Sequence, residues 1–257
     1  MPASRRRDRF RDPVGPHRSR AALVAVVTGT LVLTACGTTT GPRVEIPEGV
    51  PPAPGVPVPA IDVDGPGRTA DLLADWAAPI ADSTGVGRTA IEAYGHAAAV
   101  MARSAPECGL AWTTLAGIGY VESRHGTFRG STVGPDSVVS PPIRGVPLDG
   151  TAGNAEIRDT DGGELDGDPV LDRAMGPMQF IPETWRKWGV DANGDGRADP
   201  DTLDDAALSA GRYLCASGGD LTTPEGWQRA LLAYNRSGAY ARDVRDAAAA
   251  YSVGTSP

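Results

Sequence analysis

The chain has 257 residues, with 24 Lys+Arg against 32 Asp+Glu and a formal net charge of -8. Seven of the basic residues but only two of the acids lie in the first 36, which leaves 17 basic and 30 acidic side chains beyond them, a net of -13. That balance excludes nucleic acid as a partner, because its affinity rests on clustered Lys and Arg that neutralise phosphates; a neutral glycan or a divalent cation is compatible with it.

Arg5, Arg6, Arg7, Arg9, Arg11, Arg18 and Arg20 precede an apolar and small-residue run over 21–35 that ends in Leu33-Thr34-Ala35-Cys36. A basic start and a short apolar stretch closing on small residues describe an export signal, too short for a comfortable membrane span. The last four residues resemble the lipobox of bacterial lipoproteins. That resemblance implies cleavage before Cys36, acylation of its thiol, and an extracytoplasmic protein held to the cell membrane; an ordinary signal peptide and an uncleaved anchor are the alternatives. The expected organisation is a signal peptide over 1–35, a linker over 36–68 and a folded domain over 69–257. Pro51, Pro52, Pro54, Pro57 and Pro59 favour extended, semi-rigid chain, suited to a stalk or a wall-spanning spacer.

The patterning beyond the linker predicts a mainly α domain. Residues 89–102 place Ile91, Tyr94, Ala98 and Met101 on one stripe, and 110–122 form a second helix. Residues 182–188 begin with proline, as a helix N-terminus does. Leu203, Ala207, Gly211 and Leu214 pattern a further helix, and Thr223-Pro224 reads as a cap with proline behind it, opening a helix through Trp227, Leu231 and Tyr234. Gly238 interrupts before a last helix ending near Tyr251. Between Glu122 and Met175 the chain is rich in Gly and Asp, a long segment of the functional or mobile kind with room for a small β-hairpin. With Cys36 assigned to lipid, Cys108 and Cys215 form an even pair in an oxidising compartment, which predicts a disulfide; two unrelated buried thiols are the alternative.

Three places carry chemistry. Glu122 ends the apolar run 110–121, with Leu115, Ile118 and Gly119 on its side of the helix. Desolvation there disfavours the charged form and prepares a carboxyl to act as a general acid; a boundary Glu facing solvent is the bland reading. Gly176-Pro177-Met178-Gln179-Phe180 is a tight turn that offers an amide able to donate and accept, which suits sugar hydroxyls, or else a packed turn. Asp191, Asn193, Asp195, Arg197 and Asp199 occupy positions 1, 3, 5, 7 and 9 of an EF-hand-like calcium loop with Gly196 at position 6. Position 12 is Thr202 rather than Glu, with Asp204 and Asp205 nearby, and an Asx-rich surface turn is the alternative. His125 is assigned either to orienting the neighbouring loop or substrate, or to capping the helix end. Trp112, Trp185 and Trp227 are assigned to the core.

Taken in order, Leu110-Ala111-Trp112, Glu122-Ser123-Arg124-His125-Gly126, Gly176-Pro177-Met178-Gln179-Phe180 and Ala233-Tyr234-Asn235 resemble a lytic transglycosylase catalytic domain of the membrane-bound transglycosylase B-like type, in its actinobacterial lipoprotein form. The resemblance spans roughly residues 70–250. It implies a lysozyme-like fold with Glu122 as the single catalytic carboxylate. Gln179, flanked by Met178 and Phe180, would line the glycan groove, and Tyr234 and Asn235 would face Glu122 across the cleft. It also implies cleavage of the β-1,4 bond between N-acetylmuramic acid and N-acetylglucosamine, leaving a 1,6-anhydromuramyl end. The expected partners are peptidoglycan strands, engaged by a monomer that needs no cofactor for its chemistry and carries a structural Ca²⁺. A hydrolytic muramidase and a catalytically weak wall-binding lipoprotein are the competing readings.

Overall fold

The computed structural model describes residues 45, 47–151 and 155–257. The export signal and Cys36 lie outside the described residues. Seven α-helices carry the described part: α1 (Ala74–Thr84), α2 (Arg88–Ser104), α3 (Trp112–Ser123), α4 (Pro182–Trp188), α5 (Leu203–Gly218), α6 (Pro224–Tyr234) and α7 (Gly238–Ser252). Between α3 and α4 lie two small antiparallel pairs, β1 (Thr132–Val133) with β2 (Val139–Ser140), and β3 (Arg144–Pro147) with β4 (Arg173–Met175). The expected mainly helical domain with a hairpin region is what forms.

α3 is the centre of the packing. Trp112 through Gly119 are all buried, so the helix is enclosed on every side rather than presenting one apolar stripe. α7 lies along it, and its run Ala247, Ala248, Ala249 and Ala250 is buried, small side chains that let the two backbones approach. α2 packs on α5, and α5 on α6. Trp112, Trp185 and Trp227 are core residues, and the Trp227 indole N–H donates to Thr114 Oγ1 at 3.1 Å. Cys108 and Cys215 form the expected disulfide with Cα atoms 5.5 Å apart, pinning the turn before α3 to α5. The cap at Thr223 is also present, its hydroxyl accepting Gly226 N–H at 3.1 Å.

Two parts of the fold depart from expectation. Helix α1 has no counterpart in the sequence reading, because Pro79 lies inside it and interior proline normally ends a helix. Its buried Ala77, Ile80 and Thr84 recur at three- and four-residue spacing and tie it to the core. The described part of the proline-rich segment is no free stalk. It lies across the domain as a strap: Thr113 Oγ1 and Trp112 Nε1 donate to the carbonyls of Ala53 and Val56, both at 3.0 Å. At its end Arg68 is sequestered with Asp204 and Glu92, each at 2.7 Å. The carbonyls of Ala53 and Val56, between the prolines, and the arginine bind the strap down. The folded unit therefore begins well before residue 69.

Candidate active site

Glu122 stands on the last turn of α3, partly accessible to solvent yet closely surrounded by protein. One carboxylate oxygen accepts the Tyr240 hydroxyl at 2.6 Å. Burial pushes the Glu122 carboxyl up to about 7, against the Tyr240 hydrogen bond, which pulls the other way. At neutral pH the group is thus shared between its acid and carboxylate forms, the condition a side chain needs to give and later take a proton.

The neighbouring Ser123 fixes this helix end to the turn at 176–180. Its hydroxyl donates to the Pro177 carbonyl at 2.6 Å and accepts Gly126 N–H at 2.7 Å. The turn itself is closed by Met175 and Phe180, which exchange both backbone hydrogen bonds at 2.8 and 3.0 Å. Gly176 has φ +67, and a Cβ there would stand 1.8 Å from the Pro200 carbonyl oxygen, so no other residue fits. The two sequence motifs, 54 residues apart, are one physical unit through Ser123.

The predicted contact residues divide. Gln179 is half-buried with φ +50; its Nε2 donates to the Gly176 carbonyl at 2.9 Å, and its Oε1 lies beside Gly145 of β3. Met178 is fully buried and Phe180 nearly so, and both side chains pack in the core. Their aromatic and thioether bulk supports the turn from beneath. Tyr234 is near Glu122, but its hydroxyl donates to the Met178 carbonyl at 2.7 Å, and its ring stacks on Tyr240 with centroids 6.4 Å apart. It braces the turn, while Tyr240 makes the contact with the acid. Asn235 ends α6 with an exposed side chain.

Tyr240 is the residue that the sequence reading missed. It sits on the first turn of α7, where Ser237 caps the helix by accepting Tyr240 N–H at 3.3 Å, and it is 118 positions from Glu122. The only local signal was a cap-and-tyrosine pattern shortly after the Tyr234-Asn235 pair, which many helices share.

In the 191–199 loop, the side chains turn to backbone amides. Asp191 accepts Gly194 and Gly196 N–H, Asn193 accepts Asp195 N–H, and Asp195 accepts Arg197 N–H. Asp199 accepts Asp201 N–H, and Arg197 bonds Asp199. Asp205 holds the loop from below through Ala192, Asn193 and Asp199 N–H, and burial raises its carboxyl to about 7, with Asp191 and Asp195 adding to the rise. The donor set is all oxygen and its field is negative, which fits a hard cation, but Thr202 supplies no carboxylate at position 12. Among the described residues, three acidic side chains whose ligand atoms lie within 4.8 Å of one another occur elsewhere, at Asp159, Asp161 and Asp172. Two apolar hollows, of about 510 Å³ beside the disulfide and about 590 Å³ under the strap, do not include Glu122; the site is assigned from chemistry rather than from the depth of a cavity.

Residues 172–231 match the family described as the transglycosylase SLT domain. The matched segment holds Gln179 and stops short of Tyr234, and Glu122 lies upstream of it. No curated protein and no solved structure matches the chain significantly.

Proposed function

We propose that the protein is a peptidoglycan lytic transglycosylase of the membrane-bound transglycosylase B-like type, with a lysozyme-like catalytic domain. The observation that carries this reading is Glu122: a desolvated carboxyl near neutrality, hydrogen-bonded by Tyr240 and joined through Ser123 to a turn that matches the transglycosylase family. In its acid form Glu122 protonates the oxygen that links N-acetylmuramic acid to N-acetylglucosamine, and the bond from that oxygen to C1 breaks. The substrate's acetamido group stabilises C1. The Glu122 carboxylate then takes the proton of the muramyl C6 hydroxyl, whose oxygen closes on C1. The product is a 1,6-anhydromuramyl end, and no water is consumed, unlike the two-carboxylate glycosidases. The Tyr240 hydroxyl steadies the carboxylate in the second half of this cycle, and Gln179 and Asn235 offer amides to the strand. Lipidated Cys36 would hold the enzyme outside the cytoplasm at the membrane, and a structural Ca²⁺ would sit on the oxygens of Asp191, Asn193, Asp195, Arg197 and Asp199.

Mass spectrometry of products from purified wall glycan tests the reaction. Ends one water lighter than reducing sugar are expected; reducing ends alone would make the enzyme a muramidase, and intact glycan would leave a binding lipoprotein.

A further inference from the structure

Directly after Glu122 and Ser123 the backbone enters the left-handed region three times in succession, at Arg124 (φ 53), His125 (φ 60) and Gly126 (φ 82). Glycine takes that conformation freely, whereas Arg and His do so at a cost. Consecutive left-handed residues of this kind persist only where the surroundings over-determine them, and they gather where geometry matters for function. The hook they form carries Gly126 N–H back to Ser123 Oγ and brings His125 N–H to the Gly119 carbonyl at 2.9 Å.

What over-determines the hook is the imidazole. His125 is buried, and its two ring nitrogens meet two tyrosine hydroxyls from opposite elements, Nδ1 with Tyr94 of α2 at 3.1 Å and Nε2 with Tyr251 of α7 at 2.8 Å. Burial, with Arg124 adding to it, pushes the imidazole down to about 3, so the ring is neutral and has one donor and one acceptor. One tyrosine therefore donates to the ring and the other accepts from it, so both ring nitrogens are satisfied. Room for it is made at Gly119, where a Cβ would stand 2.0 Å from the Tyr94 hydroxyl. Solvent-side capping of a helix end needs none of this apparatus.

We propose that His125 is the positioning residue of the active site: its imidazole, clamped between Tyr94 and Tyr251, holds the left-handed hook that aims Glu122 at Tyr240 and Ser123 at Pro177. The proposal rests on Glu122 being the acid. His125 touches neither substrate nor reacting atoms and acts through the backbone.

The test compares three variants of the full-length chain on soluble glycan strands, with folding followed by circular dichroism and the Glu122→Gln chain as a separate control. His125→Phe keeps a ring of similar bulk and loses both hydrogen bonds; kcat is expected to fall about 10²-fold with KM little changed, the scale of a misplaced catalytic group. Its high-pH activity limb should move to lower pH, because a loosened hook lets water reach Glu122. His125→Gln, which restores a donor and an acceptor, should recover much of kcat. His125→Gly relieves the strain without the clamp and should not recover it. Wild-type kcat in His125→Phe or His125→Gly, or loss of rate with an unmoved pH limb, overturns the proposal. If His125→Phe does not fold, Tyr251→Phe removes one of the two bonds while leaving the hook's own residues intact; a moved pH limb supports the clamp and an unmoved one overturns it. Turnover by Glu122→Gln would instead sink the assignment of the acid.

Discussion

At the end of α3 the Glu122 carboxyl is closed in by tyrosines with one hydroxyl donor, whereas the aspartates of the 148–172 segment gather backbone amides. Asp159 accepts the N–H groups of Asp161, Gly162 and Gly163, and Asp168 accepts those of Val170 and Leu171 and bonds Arg173. The same functional group is consequently pushed in opposite directions. Desolvation raises Glu122 to about 7, while backbone hydrogen bonds hold Asp159 and Asp168 below the usual range. A third kind of acid, Glu92 and Asp204, is fully enclosed and answered by the Arg68 guanidinium. An acid is chemically useful where the chain withholds partners, and structural where the chain supplies them.

The sharpest break of that comparison is by substitution. Glu122→Gln removes the transferable proton and should lower turnover by roughly 10²–10⁴-fold with the fold intact, while Asp159→Asn and Asp168→Asn should leave turnover on the same glycan nearly unchanged. A reversed order of effects would move the acid into the loop.

The next test concerns the enclosed pair. Arg68→Met strands Asp204 without its cation and leaves Glu92 with Arg88 alone, and should cost about 3–5 kcal/mol in chemical denaturation, the scale for breaking a buried ion pair. A loss below 1 kcal/mol, the scale of an exposed pair, would mean that the strap is not integral to the domain.

The pH dependence should separate the two kinds of titrating acid. Because the Glu122 pKa is raised on folding, its contribution to stability is present below about 4.5 and is lost as pH rises through about 7. Glu122→Gln should therefore melt higher than wild type at pH 8, and the two should converge at pH 4. Activity that needs the acid form should also decline above pH 7. Asp159 and Asp168 work in the opposite sense, contributing above 3.8 and losing that contribution on acidification, so amide protection in the 148–172 segment should fall first below pH 4.

The smallest effect is expected at the 191–199 loop. Asp195→Ala should lower the melting temperature only in calcium, since a ligand bound to the native state stabilises it by mass action. Identical wild-type melting in calcium and in chelator would leave the loop as a hydrogen-bonded turn.

The sequence by itself determined what local physics controls. Helical periodicity located six of the seven helices, the Thr223 cap and Pro224 marked the start of α6, and cysteine parity paired Cys108 with Cys215. The apolar run before Glu122 raised a desolvated carboxyl as one of two readings, beside a boundary Glu facing solvent, because a charged group next to such a run has little water around it if it turns inward. Only the tertiary structure decided which group would answer that carboxyl. Tyr240, the Ser123–Pro177 bond, the His125 clamp and the docking of the proline-rich strap all join residues far apart in the chain. Their partners are chosen by how α3 beds against α7 and α2. The same packing turned Met178 and Phe180 inward, since a turn motif gives residue types and spacing but not which side of the backbone meets the core.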